Sequence, residues 1–403
     1  MDEPADRIGA RIFSEDRRPG GPFRDGAFRS TKRSERVASV LGVALGATFS
    51  VCLLTGVASH YLQQPAAWLP WPARIAGLYR VSQGLHVVCG VASIPLLAAK
   101  LWTVYPRLFR WPPLRSLAHT VERISLVPLV AGSIFLLATG VVNIQYWYPF
   151  GFFFPRAHFW AAVLVAGALA VHVASQLHVA RRTLGRANRS RRLAPDDTTD
   201  TSALTVERRR FIRGVAGASG LFALLVAGAS VRPLRSLALL ASRDPDVGPQ
   251  GFPVNKTAAS AGVDSASTGA GWRLQVAGGP VPAAYSRADL LAMPPTEAVL
   301  PIACVEGWSA SRRWSGVRVA DLLEASGVDL ASVKSVTFHS LEGDGLYSRS
   351  EHLRAFVLAP DALVALEVEG EALDVDHGYP ARLVIPDQPG VRQTKWLSRI
   401  EVA

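Results

Sequence analysis

Cysteine is scarce in this chain: there are three among 403 residues, and two of them, Cys52 and Cys89, fall inside long apolar runs. No disulfide framework can be built from that set, which leaves Cys304 as the one thiol outside an apolar segment. No internal repeat is visible, which argues against solenoids and propellers. No phosphate-binding loop or dinucleotide fingerprint follows a strand-like run, so nucleotide chemistry lacks its usual signature. Acidic residues are sparse in the first part of the chain. Residues 1–235 hold 29 Lys and Arg against 12 Asp and Glu, whereas residues 243–403 hold 14 against 20. The net charge of +11 therefore belongs to one part of the molecule. Its position beside apolar runs speaks against a nucleic-acid partner and for a lipid bilayer.

Charge is also missing from five apolar stretches: Val37 to Ser59, Val81 to Ala99, Ile124 to Val142, Ala157 to Ala180 and Gly214 to Val231. Each is close to the roughly 18–25 residues that cross a bilayer as helix. The first four follow one another closely, and the fifth lies apart in sequence. Arg29, Lys32, Arg33 and Arg36 precede the first run. Lys100, Arg107, Arg110 and Arg115 fill the second loop, and Arg181 to Arg192 follow the fourth run. The first and third loops carry only Arg74, Arg80 and Arg156. The positive-inside rule then sets a multi-pass protein in the cell membrane with a cytoplasmic N-terminus and an extracytoplasmic C-terminal domain. Trp68, Trp71, Tyr146, Trp147 and Tyr148 read as an interfacial aromatic belt.

The expected organisation is a disordered cytoplasmic tail (1–36), a four-helix membrane domain (37–182), a cytoplasmic linker (183–207), an anchoring segment (208–242), a Pro-, Gly- and Ser-rich linker (243–271) and a catalytic domain (252–403) that overlaps it. The fold class is thus an all-α transmembrane bundle followed by an α+β domain. Glu207 to Arg213, Glu-Arg-Arg-Arg-Phe-Ile-Arg before an apolar run, resembles an internal twin-arginine export signal, which implies the export machinery as a partner. A plain positive-inside flank is the alternative.

Four histidines sit in or beside the spans: His60, His86, His158 and His172. An ionisable group in a span is a functional hypothesis by default. His158 and His172 are separated by about four helical turns, some 21 Å along the axis. This resembles the spacing in di-haem b-type cytochromes. One or two b-type haems are expected, with His86 and His172 the leading ligands and His60 and His158 serving a second group. His119 and His178 lie near the cytoplasmic ends and read as interfacial.

In the C-terminal part, Ala298 to Cys304 reads as a strand, Arg287 to Ala292 as a helix capped by Ser286, Val319 to Ser326 as a helix ended by Gly327, and Val333 to Phe338 and Leu363 to Val368 as strands. Gly370 suits a turn before Ala372 to Val375. Cys304 stands in Pro-Ile-Ala-Cys-Val-Glu-Gly-Trp-Ser (301–309), and a thiolate there would be a soft metal ligand. Three further runs follow: Trp-Ser-Gly-Val-Arg (314–318), Asp-His-Gly-Tyr-Pro-Ala-Arg-Leu (376–383) and Pro-Gly-Val-Arg-Gln-Thr-Lys-Trp (389–396). Together the four motifs resemble the molybdopterin domain of the sulfite oxidase family over roughly residues 252–403.

The resemblance implies an oxygen-atom-transferring molybdenum oxidoreductase with Cys304 as the molybdenum ligand. It also implies molybdopterin contacts from Asn255, Lys256, Ser340 and His377, and a phosphate grip from Arg382 with Gln393, Thr394 and Lys395. Tyr347 matches an active-site tyrosine of oxidase members, and Arg312 and Arg313 are expected to meet an anionic substrate. The substrate would be a small molecule, a sulfite-like oxyanion or a sulfoxide, with a membrane quinone or cytochrome as electron partner. The given sequence ends at Ala403 without the family's immunoglobulin-like dimerisation domain, so the usual dimer is not expected. Two rival readings remain: a catalytically silent binding module, and a membrane cytochrome that uses the C-terminal domain for docking.

Overall fold

The computed structural model describes residues 20–24, 26–64, 77–111, 117–184, 205–241, 243–343, 345 and 347–403. Five long helices come first: α1 (Glu35–Gln63), α2 (Leu78–Val104), α3 (Leu117–Ile144), α4 (Phe154–Leu184) and α5 (Thr205–Ala227). All five are long and apolar enough to cross a membrane. They overrun the apolar stretches because flanking polar residues continue the helical hydrogen bonding. The fifth instead stops at Ala227, short of the expected Val231. Pro95 and Pro128 lie inside α2 and α3. Large apolar side chains such as Leu54, Ile124, Val127 and Trp160 are exposed.

Contacts divide the chain into two units: Met1–Leu54 with His86–Val226, and Thr55–Leu85 with Ala227–Ala403. In the first unit, α5 does not stand apart from the other helices. Its Phe211, Ile212 and Val215 pack with Val37 and Leu41 of α1 and with Leu96 and Ala99 of α2. Phe222 and Val226 join Val87 and Val91 of α2. The arginine run of the export-like segment forms the first turns of α5, where Thr31 Oγ1 donates to Glu207 and Arg208 Nε donates to the Thr31 carbonyl. Of the expected disordered tail, residues 1–19 lie outside the described residues. Arg33 is buried, with its guanidinium 4.2 Å from the centre of the Trp102 ring and a hydrogen bond to the Phe28 carbonyl. Trp68, Trp71, Arg74, Arg115 and residues 185–204 of the cytoplasmic linker also fall outside the described residues.

The second unit carries the sheets. The elements are β1 (Leu274–Ala277), β2 (Ala283–Tyr285), α6 (Arg287–Ala292), β3 (Thr296–Ala303), β4 (Ser309–Arg318), α7 (Val319–Ala325), β5 (Ser335–Ser340), β6 (Arg349–Leu353), α8 (Arg354–Val357), β7 (Leu363–Val368), β8 (Glu371–Ala372), β9 (Arg382–Val384) and β10 (Leu397–Val402). One sheet has the order β2-β1-β10-β5-β6. The other runs β3-β4-β7-β8, with β9 on β7. The β1/β10 pair is parallel, and every other pair is antiparallel. This is the α+β domain expected from the mixed periodicity. Ser286 caps α6 through a capping box with Asp289, and Gly327 follows α7 at φ +74°. The strand expected over 372–375 is shorter, because Asp374 accepts from the Asp376 N–H and turns the chain into a 3-10 helix at Val375–His377.

The core between the sheets contains Leu274, Val276, Leu322, Phe338, Leu366, Leu383 and Ile400. A second cluster, with Phe252, Leu300, Ile302, Trp308, Trp314 and Val384, encloses Cys304. At Gly316 strands β4 and β7 come so close that an added Cβ would lie 2.1 Å from the Val364 carbonyl oxygen. Gly316→Ala should therefore cost about 1–3 kcal/mol through overpacking. Thermal unfolding of the purified protein should show a lowered midpoint.

Candidate active site

Strands β3 and β4 form a hairpin in register from Thr296↔Gly316 to Ala303↔Ser309. Cys304 begins its closing loop. The Cys304 N–H bonds the Trp308 carbonyl at 2.9 Å, the Gly307 N–H bonds the Cys304 carbonyl at 3.1 Å, and Gly307 has φ +97°, which favours glycine. A bridge from Ala303 to Pro389 sets the last motif beside the cysteine loop. Gly390 permits that approach, since a Cβ there would stand 3.3 Å from the Ala303 carbonyl oxygen.

The Cys304 sulfur is buried and receives a hydrogen bond from Asn255 Nδ2 at 2.6 Å. Burial, and then the Glu306 carboxylate, push its thiol above the ordinary range. Glu306 is itself buried, accepts from Trp308 Nε1 at 3.0 Å, and is pushed up to about 7 by burial. The Tyr347 hydroxyl is raised as well, first by burial and then by Cys304, so it keeps its proton at neutral pH.

Below the hairpin, β9 and the segment before β10 bring positive charge into the interior. Arg382 is buried, donates Nη1 to the His377 carbonyl at 3.1 Å and lies over the Trp314 ring. Its Nε has no hydrogen-bond partner. Burial lowers its affinity for a proton to about 10. Lys395 Nζ donates to the carbonyls of Lys256 and Asp376. Burial, and then Arg382, push it down to about 7. His377 stacks on Phe252 at 3.6 Å and bonds the Pro249 carbonyl through Nε2. Burial, and then Arg382, push it down to about 4, so it is neutral. Neither Arg382 nor Lys395 forms an ion pair with a carboxylate among the described residues. Buried charge of one sign needs a counter-charge. A ligand phosphate supplies one, and the guanidinium and ammonium suit it. The residues present therefore fit molybdopterin.

The remaining expected contacts divide. The Gln393 amide donates to the Gln388 carbonyl at 3.0 Å, leaving its buried Oε1 without a partner. Thr394 Oγ1 is hydrogen-bonded to Ser350 Oγ at 2.7 Å. Ser340 Oγ donates to the Lys395 carbonyl, so it holds the lysine segment in place, and Lys256 is ion-paired with Glu342. Arg312 and Arg313 are not at the cysteine. They lie three and four residues along β4 from Ser309, roughly 10 and 13 Å at strand rise. Arg312 is tied to Asp246 and to the carbonyls of Pro245 and Gly251, and the Arg313 N–H to Glu369. Closeness in sequence to Cys304 is lost along an extended strand. Phe252, Trp314 and Asp376, which receives the Ala258 N–H at 2.7 Å, were missed as site residues. The aromatic residues inside or before the motifs were the available signal.

In the first unit, the rings of His86 and His158 stand 6.2 Å apart. His86 Nδ1 is 3.0 Å from the Cys52 carbonyl oxygen and His158 Nδ1 is 3.1 Å from Thr139 Oγ1. The expected partner of His86 was His172, whose buried Nδ1 has no hydrogen-bond partner. His60 has its ring against Tyr61.

Lys395 gives a pH signature. Its ordinary value of 10.5 is lowered to about 7 on folding, so the unfolded chain binds the extra proton between those limits. Stability of cofactor-free protein should therefore rise with pH from about 7 to about 10.5. Lys395→Met should flatten that slope in melting curves recorded across the window.

The family described as oxidoreductase molybdopterin binding domain matches residues 261–403. Human mitochondrial sulfite oxidase is 37% identical over 101 residues, 24% of this chain and 18% of that protein. A chain of Azospira oryzae named as subunit YedZ1 of a protein-methionine-sulfoxide reductase is 33% identical over 119 residues, 30% of this chain and 44% of that one. The sulfane dehydrogenase SoxCD of Paracoccus pantotrophus aligns with 33% of this chain and 38% of its own at 25% identity and a TM-score of 0.30. The chain thus spans less than half the length of these relatives. Residues 261–403 are an oxidoreductase molybdopterin binding domain of the sulfite oxidase type, carried on a chain with five long apolar helices.

Proposed function

We propose that the chain is a multi-pass membrane oxidoreductase that reduces a neutral sulfoxide-like substrate, or runs the reverse reaction, on the extracytoplasmic side. The observation that carries this reading is the pairing of one buried cysteine with a buried cationic cradle that lacks a carboxylate partner. The bound molybdopterin would supply oxygen-atom exchange with a two-electron change, and a b-type haem would supply one-electron exchange with a membrane quinone or partner cytochrome.

The chain's own residues account for the rest. Cys304 would hold molybdenum, and Asn255 orients the sulfur. Arg382 and Lys395 neutralise phosphate, while neutral His377 and the Gln393 amide present hydrogen-bonding groups to the pterin. Sulfoxide reduction consumes two electrons and two protons and releases water and a sulfide. Tyr347, held protonated, can donate a hydrogen bond to the substrate oxygen. With Arg312 and Arg313 engaged elsewhere, the charged neighbour acting on Cys304 is a carboxylate, Glu306. That setting favours a neutral sulfoxide over sulfite, and the relationship to the Azospira oryzae chain points the same way.

His86 and His158 suit a bis-histidine haem, since their rings stand 6.2 Å apart and each has its Nδ1 held by a neighbouring oxygen. His60 and His172 would need separate partners for a second haem. The positive flanks of the spans support a cytoplasmic N-terminus, and the arginine run at the start of α5 supports use of the twin-arginine machinery.

Two experiments test the reading. Cys304→Ser should lose sulfoxide-dependent reoxidation of the haem while the haem spectrum survives. Unchanged turnover in that variant would sink the molybdenum mechanism and leave the docking-platform cytochrome. His86→Ala and His158→Ala should each abolish the low-spin haem absorption at undiminished molybdenum content, measured by elemental mass spectrometry. Retention of the full haem spectrum in both would remove the pair as ligands.

A further inference from the structure

The cysteine loop is held from outside its own sheet. Gln83, in the first turns of α2, is only 6% exposed. Its Nε2 donates to the Val305 carbonyl at 2.7 Å, and its Oε1 accepts from Ser59 Oγ at 3.2 Å near the end of α1. Ser59 in turn accepts from Gln63 Nε2 at 3.0 Å. Just after α5, Ser230 Oγ donates to the Gly307 carbonyl at 2.6 Å, and the Ser309 N–H donates to the Ala229 carbonyl at 3.1 Å. Gly84 makes room for this seat, because a Cβ there would stand 3.2 Å from Ser230 Cβ. All of these residues belong to the second compact unit.

A buried carboxamide on an apolar helix is costly unless both its ends are bonded. Both ends of Gln83 are bonded, so its orientation is fixed, and the group it fixes is the peptide next to Cys304. The loop's internal bonds, Cys304 to Trp308 and Gly307 to Cys304, make it move as one body. Anchoring the carbonyls of Val305 and Gly307 therefore fixes where the sulfur points.

We propose that Gln83 is a positioning residue for Cys304, so that a helix long enough to span the membrane aims the metal-binding thiolate. This rests on Cys304 being the molybdenum ligand. The test uses full-length protein from host membranes carrying Gln83→Leu, with Ser59→Ala as a second variant. Molybdenum content, the electron paramagnetic resonance spectrum of molybdenum and the kinetics are compared with the unaltered protein. Gln83→Leu should keep its molybdenum, shift the resonance g-values and lower kcat about tenfold, as loss of a group supporting a metal ligand does. KM should stay within about twofold. Ser59→Ala, which frees one end of the carboxamide, should shift the same spectrum by less. A spectrum and kcat equal to the unaltered protein's in Gln83→Leu would overturn the proposal. If that variant does not accumulate, an unaltered spectrum in Ser59→Ala would do so. Unaltered protein without molybdenum, or Cys304→Ser with an unchanged molybdenum spectrum, would instead strike down the ligand assignment.

Discussion

Arg382 holds a guanidinium where water does not reach, with no carboxylate paired to it among the described residues. Much of the catalytic domain is arranged around that imbalance. Its Nη1 bonds the carbonyl of His377, its face lies over Trp314, and Lys395 adds a second cation whose ammonium has only backbone carbonyls to bond. Such a site is poorly stable alone and becomes favourable when an anion enters. The fold thus stores a demand for its cofactor in the position of two side chains. The neighbouring histidine stays neutral because burial, and then the Arg382 charge, disfavour its protonated form.

The cysteine is under the opposite kind of control. Desolvation and Glu306 both disfavour a free thiolate, so the sulfur stays protonated and unreactive until a cation takes the proton's place. A metal supplies that cation. One half of the site waits for a negative group and the other for a positive one. A single ligand carrying phosphate at one end and a metal at the other meets both requirements, which neither a free phosphate nor a free metal ion would do.

How much of this was legible in the sequence depended on how local each feature is. The α+β class, the α6 cap at Ser286, the β3 strand and the five apolar helices follow from period and capping, which act within a few residues. Cys304, His377, Arg382 and Lys395 stood out because they sit in three of the four ordered motifs. For Arg312 and Arg313, nearness in sequence to Cys304 counts for little along a strand, where each residue advances about 3.3 Å. The pairing of His86 with His158 depends on how helices α2 and α4 meet, which spacing within α4 alone cannot report. Gln83 and Ser59 lie 222 and 245 positions before the groups they influence at Val305 and Cys304. Their polarity within apolar runs was the only local trace of that link.

The sheet that begins with β1 closes on β10, which lies at its centre with parallel pairing to β1 and antiparallel pairing to β5. Of these ten strands, the last in sequence is therefore the one that joins the two halves of its sheet. A chain emerging from the ribosome cannot complete this sheet until residue 402 is free, because neither β1 nor β5 has its middle partner before then. Lys395 and Trp396 arrive with that same strand. The last motif is thereby fixed in place only once β10 has paired on both sides.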